Sequence, residues 1–108
     1  MTIQTALLTL GASAVQFPAA TSGTGLVRYI RAEPLRSNTH VSYVGPSTVT
    51  ADGSGTGVIK EIAQPPAATV ANDAFVLEDM GGDNRLDPLQ LYGHGTAAEK
   101  LKITYISA

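Results

Sequence analysis

The residue types best suited to chemistry gather between positions 78 and 87, where Glu78, Asp79, Asp83 and Asp87 fall within the stretch EDMGGDNRLD. Several carboxylates on a flexible loop are what a hard cation such as Ca²⁺ needs, because it is bound by many oxygens at once. Asp79, Asp83 and Asp87 are the candidate ligands, and Gly81, Gly82 and Asn84 let the backbone wrap. The spacing departs from the EF-hand pattern, however, and Arg85 sits inside the cluster, so the reading that needs no metal is an acidic loop paired with its own arginine. His40 and His94 lie far apart with no Cys or Glu at metal-ligand spacing, which makes each a surface or loop histidine. The glycine clusters at 23 and 25 and at 53, 55 and 57 lack the Lys-Ser/Thr of a phosphate loop and read as turns. Neither a Gly-x-Ser-x-Gly elbow nor a cleft that would enclose paired carboxylates is indicated. A non-enzymatic protein without a metal or cofactor is therefore expected.

Composition points the same way. The chain has 108 residues, enough for one domain with a modest core, and only 15% of them are charged. Eleven Gly and six Pro supply many turns. A formal charge of -2 with seven dispersed Lys and Arg offers no basic patch for phosphate, so nucleic acid is not an expected partner. Cysteine is absent, which leaves packing or a partner to supply stability. No apolar run approaches the roughly 20 residues of a membrane helix, and no N-glycosylation acceptor occurs. The opening MTIQTALLTLGASA superficially resembles a signal peptide, but no Lys or Arg precedes Arg28, so it reads as mature structure of a protein made in a cytoplasm.

The elements that hold these residues follow a period of two. Residues 26–45, LVRYIRAEPLRSNTHVSYVG, contain two alternating runs around a polar, Pro-containing connection and read as a β-hairpin-like unit. Further strands are expected at 2–10, 15–17, 58–62, 74–77, 89–93 and 100–107, the last with Leu101, Ile103 and Tyr105 on one face and Lys100, Lys102 and Thr104 on the other. Residues 51–57 read as a turn-rich loop and 64–73 as a surface excursion, and a helical turn fits only at 96–100. The expected fold is all-β: a single compact antiparallel sandwich or barrel of roughly seven or eight short strands. Residues 1–25 would form an uncharged N-terminal strand or arm, and 26–108 the body.

Several segments carry a family resemblance. Val15-Gln16-Phe17-Pro18 resembles a "V-Q-L-P" turn, residues 29–34 resemble "I-x-A-x-P", Asn38 with residues 41–45 resembles "N-x-x-x-V-Y-V-G", and Leu91-Tyr92-Gly93 with Gly95 resembles a late "L-Y-x-x-G" hairpin. Together they resemble small β-sandwich virion proteins of tailed bacteriophages, with departures at 64–73 and 80–88. The resemblance implies a capsid decoration (cement) protein on the virion surface, with the major capsid protein and other copies of itself, a homotrimer by analogy, as partners. A neck or tail adaptor on the same scaffold is the alternative. A carbohydrate- or receptor-binding module is a further one, disfavoured by a chain with no Trp, four Tyr and two Phe. The charge-free N-terminal segment docks at little desolvation cost, which makes Ile3, Leu7, Leu8 and Leu10 the expected partner contacts. The competing reading of the same residues is an internally paired strand.

Overall fold

The computed structural model describes residues 1–50, 57–66 and 71–108. Within them the chain forms eight strands: β1 (Thr2–Thr9), β2 (Val15–Gln16), β3 (Tyr29–Pro34), β4 (Ser42–Gly45), β5 (Lys60–Ile62), β6 (Phe75–Glu78), β7 (Tyr92–His94) and β8 (Lys100–Ser107). All strand pairs are antiparallel, in two four-stranded sheets ordered β1-β8-β3-β6 and β2-β7-β4-β5. The first strand thus pairs with the eighth, the second with the seventh, the third with the sixth and the fourth with the fifth. Such a chain is one long doubled-back ribbon, rolled until β8 also meets β3 and β7 also meets β4. Among β-sandwiches this strand order is that of a jelly roll.

Alternation decides which side chains fill the space between the sheets. On β8, Leu101, Ile103 and Tyr105 point inward and are buried, and on β3 Ile30 and Ala32 do the same. Val44 and Ile62 answer from the second sheet, and Leu8, Leu10, Phe17, Val27, Phe75 and Leu91 complete one core. Gly93 belongs to this interior because a Cβ there would lie 3.0 Å from the Leu8 side chain and 3.2 Å from that of Leu10. The Tyr105 hydroxyl, carried deep by its strand, donates to the Pro18 carbonyl at 2.7 Å, so the buried phenol has a partner. Burial pushes its pKa well above the ordinary phenol value.

Two expectations change, and one choice between alternatives is decided. Residues 26–45 are not a hairpin: β3 lies in one sheet and β4 in the other, and the connection between them crosses the sandwich. Alternation records that each strand has one buried face, and strands in facing sheets satisfy that as well as paired neighbours do. Of the two alternatives for residues 1–25, strand or arm, the segment takes the strand: β1 pairs with β8 along its whole length, and Leu8, Leu10 and Phe17 are core. Finally, residues 96–99 form a turn leading into β8, with Glu99 N–H donating to Thr96 C=O and Ala98 at φ 72°, and the short helical element is instead a 3-10 turn at Pro88–Gln90. There Asp87 caps the turn by accepting from Leu89 N–H, and the following proline has no N–H to satisfy. The expected loop at 51–57 lies outside the described residues except for Gly57, as does the 67–70 part of the excursion at 64–73.

Candidate contact surface

The outward positions of the first sheet form a grid whose rows are set by register. One row runs Ile3, Ile106, Tyr29, Glu78; the next Thr5, Thr104, Arg31, Val76; the third Leu7, Lys102, Glu33. Ile3, Leu7 and Val76 are 60%, 55% and 48% exposed. On the two central strands Glu33 pairs with Lys102 at 3.2 Å and with Arg31 at 3.6 Å, and Glu78 puts a further charge at the β6 corner of the grid. The Ile3 row ends in a shallow depression of about 340 Å³ lined by Arg28, Tyr29, Glu78, Asp79, Met80, Gly82 and Ile106. Met1 reaches the same end, its sulfur 3.4 Å from the Arg28 guanidinium.

The acidic loop turns out to be the support for one member of this surface. Asp79 is held by Arg85 through two hydrogen bonds of 2.8 and 2.7 Å and also accepts from Gly81 N–H. This clamp stiffens the turn that carries Met80, which is 91% exposed. The Arg85 guanidinium draws the Asp79 pKa down to about 2, and Asp79 in turn raises that of Arg85. Asp83 lies 4.0 Å from the same guanidinium, whereas Asp87 is occupied with its cap. Asp79 and Asp83 thus face one arginine while Asp87 caps a turn, and among the described residues no group of three metal-ligating side chains is brought together.

Of the four expected contacts, Ile3 and Leu7 lie on this outer face. Leu8 and Leu10 do not: they are 6% and 2% exposed, because the even positions of β1 and its continuation turn inward. They are core residues and unavailable to a partner of the folded chain. Val76, Ile106 and Met80 are the members that sequence reasoning passed over, because nothing in a single strand shows that β6 and β8 share a face with β1.

The second sheet presents a different outer face. Tyr43 and His94 are register partners and share it with Tyr92, all half-buried, beside a depression lined by His40, Val41, Tyr43, Gly95 and Thr96. His94 is therefore a strand residue and not a loop one, and its Nδ1 has no hydrogen-bond partner among the described residues. His40 does lie in a loop, held by Glu99, which accepts from Thr39 N–H at 2.8 Å, Thr39 Oγ1 at 3.1 Å and His40 N–H at 3.3 Å, with the His40 ring at 3.2 Å. Burial raises the Glu99 pKa, but the Thr39 amide, the His40 ring and the Thr39 hydroxyl outweigh it and leave the carboxyl below its ordinary value. Asn38 completes the latch by bonding both the C=O and the N–H of Lys100 at the start of β8. No family model, curated protein or solved structure matches this chain.

Proposed function

We propose that the chain is a non-enzymatic structural protein of a tailed-bacteriophage virion, a decoration protein that cements the assembled capsid lattice. The observation that carries this reading is the set of exposed aliphatic side chains spread over the outer face of the first sheet, Ile3 and Leu7 on one edge strand and Val76 on the other, with Met80 on the braced turn that follows β6. Rigid strands hold these groups apart from one another, so they cannot bury themselves and gain by meeting a flat apolar surface. Each contributes on the order of 1 kcal/mol when covered, since it starts about half exposed. That is weak for one copy and sufficient for many copies on a repeating lattice. The jelly roll is an architecture of viral capsid domains, which adds an analogy of fold and no more.

A ligand that binds only the assembled shell stabilises it by mass action, because separating subunits destroys the binding surface. The test mixes the chain with assembled shells of the major capsid protein and, separately, with its free subunits, then sediments both. Binding to shells alone, with a rise in the temperature at which they break open, is the expected result. Equal binding to free subunits, or none to shells, refutes the reading. Few copies per purified virion would favour the neck or tail adaptor instead.

The outer face of the second sheet favours a second reading, a sugar-binding module, because it carries two half-buried tyrosines, Tyr43 and Tyr92, and aromatic side chains are what a saccharide stacks on. A glycan array separates the two: saturable binding lost in Tyr43→Ala and Tyr92→Ala supports the module, and a blank array supports the structural role.

A further inference from the structure

The longest sheet edge among the described residues is β1, at eight residues, against four for β6, two for β2 and three for β5. Its open side is identified by the bonds of its neighbour. On the β3 side of β8, Leu35 N–H donates to Lys100 C=O and Arg28 N–H to Ile106 C=O, whereas Leu10 N–H donates to Glu99 C=O on the β1 side. By the two-residue period of an antiparallel ladder, even residues of β1 bond β8, and Ile3, Thr5, Leu7 and Thr9 turn their N–H and C=O groups outward. Edges of this length are normally blunted by a charge, a proline or a bulge. The strand TIQTALLT has no charge and no proline, and it pairs with β8 residue for residue. Among the described residues, no backbone bond from outside the sheet reaches those four amides.

We propose that this edge pairs antiparallel with the β1 edge of a second copy, about a twofold axis through Thr5. In that register Ile3 of each copy faces Leu7 of the other and Thr5 faces Thr5, so the residues with outward N–H groups are the ones that meet. Ile3 and Leu7 become cross-strand apolar pairs on the outer face, where such pairs stabilise an antiparallel ladder. Moving the axis to Leu7 sets Ile3 against Gly11 and forfeits those pairs. A twofold axis sets each residue close to it against its own copy, and β1, which lies along the contact, has no charge to repel. The product is a continuous eight-stranded sheet, β6-β3-β8-β1 followed by its mirror order, with both contact surfaces on one face. The association is a twofold pair and not the trimer that analogy suggests, and it stands independently of the virion reading.

The full chain, run by sedimentation equilibrium at micromolar concentration, is expected to show twice the 11.2 kDa chain mass. Thr5→Pro removes one outward N–H while sparing the bonds to β8, as proline does on an edge; Leu7→Lys adds like charges near the axis. Both variants are expected to be monomers with an unchanged β spectrum. Because the chain lacks cysteine, Thr5→Cys alone is expected to give a disulfide-linked pair on mild oxidation, since hydrogen-bonded partners have Cα atoms about 5.5 Å apart, within disulfide reach. Ala6→Cys, which faces inward, is expected not to. A wild-type mass of one chain at high micromolar concentration overturns the proposal. So does a pair that survives Leu7→Lys and is broken by Val76→Lys, which would put the interface at β6. Should Thr5→Pro fail to fold, Leu7→Lys and the cysteine pair still decide.

Discussion

Among the described residues three carboxylates, Asp73, Asp79 and Glu99, are held below their ordinary pKa and make stability respond to acid, and the last two brace loops. Asp79 is drawn down to about 2 by Arg85, and Glu99 lies below its ordinary value despite burial, so both bind protons more readily in the unfolded chain. Their contribution to stability is complete above the ordinary carboxylate range and is lost as pH falls through the lowered folded values. The melting temperature, followed by circular dichroism from pH 6 to pH 2, is expected to fall on acidification. The slope should be shallower in Arg85→Ala and in Glu99→Gln. In the core, Tyr105→Phe is expected to cost about 1 kcal/mol in urea denaturation, the loss of one buried hydrogen bond to Pro18. These two kinds of contact were not equally legible in the sequence. Arg85 stands six residues from Asp79, so their pairing follows from local charge pattern. Glu99 meets Thr39 across 60 residues and Tyr105 meets Pro18 across 87, and only the rolled topology brings either pair together.

At the level of the strand, β8 was legible and β1 was not. In β8 apolar and polar residues alternate without exception from Lys100 to Thr104, and the buried face is the apolar one. In β1 the apolar residues Ile3, Leu7 and Leu8 occupy both faces, so the period does not say which side is interior; only pairing with β8 does, placing Leu8 beside Leu101 and Leu7 beside Lys102. The division predicts opposite behaviour from adjacent leucines. Leu8→Ala is expected to destabilise the fold by about 3 kcal/mol, as cavity-forming changes in a core do. Leu7→Ser and Ile3→Ser are expected to stay within about 0.5 kcal/mol of the parent in urea denaturation under dilute conditions, while weakening attachment to shells. Equal losses of stability at positions 7 and 8 would contradict the assignment of faces. Gly45 supplies a second test, because a Cβ there would run into the Gly57 carbonyl and the Val49 side chain. Since a backbone atom cannot swing aside, Gly45→Ala is expected to cost about 2 kcal/mol by overpacking.

Over the whole molecule, period-two runs and frequent turns indicated an all-β sandwich or barrel of seven or eight strands, and the structure is a sandwich of eight. Partner choice was illegible because each strand advertises only its buried face, and a rolled ribbon pairs strands at very different distances along the chain. Ser42 meets Ile62 in β4 and β5, whereas Thr2 meets Ser107 in β1 and β8. Loop closure is costlier for the second pair, so the order of assembly should follow the ribbon from its turn toward its ends. Contacts formed after the transition state affect unfolding and not folding. In stopped-flow chevrons Val44→Ala, in the pair nearest the turn, is therefore expected to slow refolding. Leu8→Ala, in the most distant pair, is expected mainly to speed unfolding. The opposite pattern would mean that β1 and β8 meet first and that the sandwich grows from its ends.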